Sequence, residues 1–254
     1  MILADVGNSV TKIALCQNTE ISLLRKVPTA QLSYSLLREI IQNFPKQDCI
    51  LCSVVPKFNV YFENVFLDRI YTIDPSLPLG IAIDYPNPKE IGADRLANAI
   101  ALASFYGYPA VAIDFGTATT FDIVNHHGAY CGGVIAPGLN LMRSYLHEKT
   151  ALLPVVELKE PLRAIAQSTE EAMRVGAVLG YRGMVLYLIE KIKEELGCPL
   201  KIPVIATGGQ AHLICGRLNM VDQIDIFLTL KGIRIIGENL IKRRMISMNY
   251  SIQA

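Results

Sequence analysis

The sequence has no tryptophan, only four histidines and almost no imbalance of charge. No role can therefore rest on an indole. With 24 Lys+Arg against 23 Asp+Glu the net charge is +1, so the strongly basic footprint of a nucleic-acid binder is missing. His126, His127, His147 and His212 form no His-x-x-His or His/Cys cluster, which argues against a transition-metal centre. No G-x-x-x-x-G-K-[ST] and no G-x-G-x-x-G occurs, so P-loop and Rossmann readings are set aside; Gly-x-Ser-x-Gly is missing too. No basic segment precedes Asp5, so the start does not read as a secretory signal, and a cytoplasmic location is expected. The longest uncharged run, the 18 residues between Arg95 and Asp114, is broken by Gly107-Tyr108-Pro109. It reads as a buried helix followed by a buried strand rather than as a membrane span.

What is present is apolar. Of 254 residues 51% are hydrophobic and 19% charged, with mean hydropathy +0.33. Such a chain can bury enough surface to offset its ordering entropy, and its length suits one large or two small domains. The six cysteines (16, 49, 52, 131, 198 and 215) are scattered, which does not suggest a disulfide framework. Cys49-x-x-Cys52 lies in a run that reads as a buried strand, where two small thiols are ordinary packing.

The opening grammar recurs. Ile2 to Val6 and Val10 to Leu15 flank Gly7-Asn8-Ser9, a hairpin signal. Ala110 to Phe115 and Phe121 to Val124 flank a second Asp-x-Gly turn. Asp5 and Asp114 are 109 residues apart, too far for a solenoid period but suited to two homologous halves. Residues 1–108 and 109–254 are the expected lobes. Helices are expected over Leu36–Asn43, over Ala93–Phe105 and from a capping box at Ser168-Thr169-Glu170-Glu171 to about Glu195. The last of these is apolar all round and is expected to be mostly buried, with Gly176, Gly180 and Gly183 allowing close backbone packing. Strands alternate with helices, an α/β pattern.

Three turns and one helix start could carry chemistry. In Asp5-x-Gly7 and Asp114-x-Gly116, glycine lets backbone amides approach an anion, while the strand-end carboxylate can hold a hydrated cation or orient a nucleophile. Two such turns could grip a polyphosphate from both sides. Thr207-Gly208-Gly209 follows the strand Ile202–Ala206 and would suit the adenosine end of a nucleotide. Gly92-Ala93-Asp94-Arg95 places an acid and a base at the start of an otherwise apolar helix. Asp94 reads either as a helix-dipole partner or as a general base, and Arg95 as a possible bidentate carboxylate receptor.

Taken together, these segments resemble the superfamily of acetate and sugar kinases, heat-shock ATPases and actin, and most closely the type III pantothenate kinase family. The resemblance rests on Asp5-Val6-Gly7-Asn8-Ser9, Tyr85, Gly92-Ala93-Asp94-Arg95, Asp114-Phe115-Gly116-Thr117-Ala118-Thr119-Thr120, Gly132 to Gly138, the Thr169 turn, Thr207-Gly208-Gly209 and Leu228 to Gly232. It implies a two-lobed actin-like ATPase fold, a duplicated ribonuclease H-like α/β architecture with an interlobe nucleotide cleft. It implies ATP-dependent phosphorylation of pantothenate at the start of coenzyme A synthesis. Asp5, Val6, Gly7, Asn8, Ser9, Val10, Thr11 and Lys12 would form the first ATP loop, Ser9 replacing the family's usual threonine. Thr117, Gly208 and Gly209 would contact ATP from the second half. Magnesium would accompany ATP, and Asp114 would help bind a monovalent cation, potassium or ammonium. Asp94 would take the proton of the pantothenate hydroxyl. Tyr85, Gly92, Ala93, Asp94, Arg95 and Thr169 would bind pantothenate, with Thr169 near a homodimer interface. Ser168 stands where the family has asparagine. A non-catalytic, transcription-linked relative of the same family is the alternative. Neither nucleic acid nor membrane is expected as a partner.

Overall fold

The computed structural model describes residues 1–197 and 201–252, with side chains given up to residue 244; Cys198 lies outside the described residues. The chain divides into two compact units, Met1–Phe105 with Phe227–Ala254, and Tyr106–Ile226.

The first unit is built on β1 (Ile2–Val6), β2 (Val10–Gln17), β3 (Glu20–Pro28), β4 (Cys49–Ser53) and β5 (Ile70–Thr72), in the order β3-β2-β1-β4-β5. The β1–β2 and β2–β3 pairs are antiparallel, and β1–β4 and β4–β5 are parallel. Alternation along the strands sends Ile2, Ala4, Val6, Cys49 and Leu51 to one face. There they form a core with Leu37 and Ile41 of α1 (Tyr34–Ile41) and with Phe62 and Phe66 of α2 (Asn59–Phe66). The short strand β6 (Ala82–Ile83) precedes α3 (Ala93–Tyr106), whose run Leu96–Leu102 is wholly buried.

The second unit holds β7 (Ala110–Phe115), β8 (Ala118–Val124), β9 (Ala129–Pro137), β10 (Val204–Thr207) and β11 (Gln223–Ile224), ordered β11-β10-β7-β8-β9. Its pairings reproduce the first unit's, antiparallel for β7–β8 and β8–β9, parallel for β7–β10 and β10–β11. The repeated order is the duplicated actin-like arrangement, and the helix and strand expected on either side of residue 107 are α3 and β7. After α4 (Leu139–Lys149), one continuous helix runs through α5 (Thr169–Val175), a π turn (Gly176–Gly180) and α6 (Tyr181–Glu195), followed by α7 (Ala211–Cys215). Val178, Tyr181, Val185 and Ile189 pack on Val111, Ile113, Phe115 and Phe121.

Two expectations need correction. The segment after residue 108 does not stay together: α8 (Leu228–Ile252) packs on β1 and β4 of the first unit. Gly232 sits so close to the Ala97 carbonyl of α3, and Gly237 to Ile50, that a Cβ at either would clash. The helix 169–195 is also not mostly buried. Val178, Tyr181, Val185 and Ile189 are covered by the sheet side and Met173 and Arg182 by other neighbours, but most of the remaining residues are not buried, and a Cβ at Gly176, Gly180 or Gly183 would meet nothing in this chain. An all-round apolar sequence therefore exposes one apolar face here.

Candidate active site

In the first unit, the chain turns from β1 to β2 through Gly7-Asn8-Ser9, with the Gly7 amide donating to the Val10 carbonyl at 3.1 Å. Asn8 and Ser9 are exposed at the tip. The loop is braced by Thr29, at the end of β3. Its hydroxyl donates to the Gly7 carbonyl (2.7 Å) and lies 3.0 Å from the Thr11 hydroxyl, and its amide donates to the Ser9 carbonyl (2.9 Å). Sequence reasoning missed Thr29, since nothing local marks a threonine 22 residues away as the partner of a turn glycine.

Asp5 is buried and ion-paired with Lys12 at 3.2 Å; the two are register partners across the hairpin. On the parallel side Asp5 faces Cys52, so the thiol shares its sheet face. Asp94 opens α3, and its carboxylate accepts the Arg95 amide at 2.9 Å. Gly92 makes that fold-back possible, because a Cβ there would lie 2.6 Å from Asp94 Oδ1. Burial pushes the Asp94 carboxyl above its ordinary pKa, and the negative charge of Asp5 pushes it further. The same two aspartates, after burial, raise the Cys52 thiol. Asp5, Lys12, Cys52 and Asp94 thus form one electrostatic cluster. Gly92, Ala93 and Arg95 flank it in sequence; Tyr85 lies on the preceding segment, half-buried like Arg95. A raised carboxylate is a better proton acceptor near neutral pH than an ordinary one.

In the second unit, the Gly116 amide donates to the Ala118 carbonyl and the Gly138 amide to the Thr117 carbonyl, both at 3.1 Å. A Cβ at Gly138 would collide with the Thr117 and Gly116 carbonyls, so only glycine lets the end of β9 close on the loop. Asp114 pairs in register with Thr120 and Thr207. Gly208, at φ +91°, presses against the Asp114 carboxylate where a Cβ could not fit, while Gly209 faces open space. The Thr207 hydroxyl is buried without a hydrogen-bond partner. Thr169 is exposed at the start of α5, and the capping role falls to Ser168, whose Oγ accepts the Glu171 amide at 3.2 Å. His126 and His127 lie in the turn between β8 and β9, shaped by the Asn125 carboxamide.

Among the described residues no three His, Cys, Asp or Glu side chains gather into a metal site. That fits magnesium carried in on phosphate oxygens, with one carboxylate such as Asp5 sufficing on the protein side. Beside Asp114, an orphaned buried hydroxyl and two glycine-lined walls suit a weakly hydrated monovalent cation.

Two glycine turns on duplicated actin-like sheets, with a perturbed carboxylate at a helix start, fit the class of ATP-dependent phosphotransferases. A model of the type III pantothenate kinase family matches residues 1–191. The type III pantothenate kinase of Methylacidiphilum infernorum is 68% identical over 244 residues, covering 96% of this chain and 90% of that protein. That of Akkermansia muciniphila is 43% identical over 235 residues, covering 92% and 96%. The chain belongs to the type III pantothenate kinase family. A solved Campylobacter jejuni structure, described as a Baf family transcriptional activator, aligns over 94% of this chain and 98% of its own with TM-score 0.63. At 19% identity it shows a shared fold alone.

Proposed function

We propose that Asp94 is the base of this kinase, beside the Asp5–Lys12 loop that holds the ATP phosphates. The chain phosphorylates pantothenate with ATP, giving 4'-phosphopantothenate, the entry to coenzyme A. The pantothenate hydroxyl oxygen bonds to the γ-phosphorus, the bond from that phosphorus to the β–γ bridging oxygen breaks, ADP leaves, and the hydroxyl proton passes to Asp94. The observation that carries this role is the raised Asp94 carboxyl, folded back over Gly92 beside the Asp5–Lys12 pair. A binding protein would have no use for a base tuned in this way, and that favours the enzyme over the transcription-linked alternative.

Positioning and charge stabilisation carry most of phosphoryl transfer. Residues Asp5 to Lys12 supply amides and a cation to the phosphates, with magnesium neutralising charge when bound. Thr117, Gly208 and Gly209 hold ATP from the second sheet, and the two sheets define the two functional lobes. Arg95 takes the pantothenate carboxylate through its planar fork, and Tyr85, Gly92, Ala93 and Thr169 complete that subsite. Asp114, flanked in register by hydroxyls rather than by a lysine, holds potassium or ammonium.

The protein acts as a homodimer. In support, Leu141, Met142, Tyr145 and Leu146 of α4 are exposed beside an apolar cavity of about 570 Å³ that reaches Thr169, Ala172 and Gly176. An apolar surface this contiguous is what a partner helix would cover. The helix 169–195 is long and apolar enough to cross a bilayer. Its buried Arg182 bonds the Leu213 and Ile214 carbonyls and Glu160, however, which favours a place in a folded unit rather than in lipid. Among the described residues Cys16, Cys49, Cys52, Cys131 and Cys215 form no disulfide, which is compatible with a reducing compartment. The near-neutral charge favours no nucleic-acid partner.

The deciding experiment is ADP release with ATP, magnesium and pantothenate, in potassium and again in sodium. Pantothenate-dependent turnover stimulated by potassium is expected. Equal rates in both salts would remove the Asp114 cation site. No turnover from folded protein that binds ATP would remove the kinase reading.

A further inference from the structure

One buried hydroxyl in the second unit has no place in the reaction as described. Tyr181 is 1% exposed, and its ring packs near Phe115 with centroids 6.5 Å apart. Its hydroxyl lies 2.5 Å from the Thr119 hydroxyl and 2.9 Å from the Pro137 carbonyl. The phenol donates, its one proton placed between two acceptors, the Thr119 hydroxyl and the Pro137 carbonyl. Burial pushes the phenol pKa up, which keeps that proton in place.

Both partners frame the second phosphate loop. Thr119 pairs with Phe115 in the register step next to Gly116-Thr117. Pro137 precedes Gly138, whose amide holds the Thr117 carbonyl. Val111, Ile113 and Phe115 share the core with Tyr181, so by alternation Asp114 lies on the opposite sheet face. Tyr181 therefore supports the loop from behind, out of reach of any ligand on the Asp114 side.

The helix that delivers it is not regular. The π turn Gly176–Gly180 ends immediately before Tyr181. A π turn adds a residue, and such turns tend to mark functional positions. Without it the side chain of residue 181 would be turned by about 100° around the helix axis. The next residue, Arg182, then locks the rotation by donating to the Ile214 carbonyl (2.9 Å) and gripping Glu160 with both terminal nitrogens (2.9 and 2.6 Å). Thr169 starts the same continuous helix, twelve residues earlier or roughly 18 Å along its axis.

We propose that Tyr181 is a positioning residue for ATP: through Thr119 and Pro137 it fixes the Gly116-Thr117 loop. The proposal rests on the reading of Thr117 as an ATP contact. The test measures KM for ATP and for pantothenate separately in Tyr181→Phe, Thr119→Val, Thr119→Ser, the double variant Tyr181→Phe/Thr119→Val, and Thr117→Val as reference. Tyr181→Phe should raise the KM for ATP roughly tenfold, as expected for losing a buried hydrogen-bond junction, and leave the pantothenate KM within about twofold. Thr119→Val should behave alike, Thr119→Ser should restore the parent value, and the double variant should be no worse than the worse single one. Should Tyr181→Phe fail to fold, the Thr119→Val and Thr119→Ser pair carries the same comparison. An unchanged KM for ATP in Tyr181→Phe and Thr119→Val, with Thr117→Val impaired, overturns the positioning role. An unimpaired Thr117→Val overturns the loop reading, and this proposal with it.

Discussion

The two Asp-x-Gly loops sit at equivalent places on equivalent sheets, yet their aspartates live in different surroundings. Asp5 has Lys12 as its hairpin partner and Cys52 as its parallel-strand partner. Asp114 has Thr120 and Thr207 at the same two places. A lysine ammonium at 3.2 Å already neutralises Asp5. Thr120 and Thr207 put hydroxyls rather than an ammonium and a thiol at the register positions beside Asp114. The braces differ as well. The first loop is tied by a side chain, Thr29, and the second by a glycine backbone, Gly138, backed by Tyr181. Duplication supplied the frame, and substitution at register-paired positions changed the chemistry beside each aspartate; on the proposed reading the first loop serves phosphate and magnesium and the second a monovalent cation.

The largest effect should come from the group lying beside the first loop. Asp94→Asn should lower kcat about 10²–10⁴-fold, the span for a general base, while ATP still binds. Turnover within a few-fold of the parent would place the base elsewhere. The raised Asp94 carboxyl also fixes the pH dependence. The acid limb of kcat/KM should lie above the ordinary aspartate value of roughly 3.9. The stability linked to this group is fully present below the ordinary carboxylate range, where Asp94 is protonated in both states. It is lost as pH rises through the raised native pKa. Asp94→Asn should therefore melt higher than the parent at about pH 7, and the gain should vanish in acid.

Next in size is the contrast between the loops themselves. Asp5→Asn should cost roughly 10²-fold in potassium and in sodium alike, since it weakens the phosphate side. Asp114→Asn should bring the potassium rate down to the sodium rate. Were both variants to lose the salt preference equally, the division of labour drawn here would be wrong.

Arg95→Ala should raise the pantothenate KM about 10–100-fold, the scale of a lost charge-assisted pair, with the KM for ATP little changed. An unaltered pantothenate KM would move the carboxylate to another residue. Smallest of all, Thr207→Val should raise the potassium concentration for half-activation a few-fold. If instead the protein merely became more stable with its potassium response intact, the orphaned hydroxyl would be a packing fault rather than a ligand.

Much of the site was legible because its signals are local. Gly7, Gly116 and Gly208 announce turns, and the apolar runs on either side announce the strands that carry them. Asp94 at a helix start was equally visible, although not the burial and the neighbouring Asp5 charge that raise its pKa. The helix 169–195 was found at the right place but given the wrong surroundings. An apolar periphery does not say which of the helix's faces the sheet will cover. The fate of α8 was likewise hidden, because nothing between residues 208 and 228 says which sheet the following helix will join.

By itself the sequence determined the strand–turn–strand units, their repetition 109 residues apart and the chemical groups at each turn. These follow from backbone angles and side-chain alternation, which act over a few residues. Only the tertiary structure decided that Lys12 neutralises Asp5, that burial raises Asp94, that Thr29 and Tyr181 brace loops far from them in sequence, and that α8 crosses α3 at Gly232. Desolvation, charge pairing and close packing depend on what the rest of the chain brings alongside, and no short window of sequence contains that information.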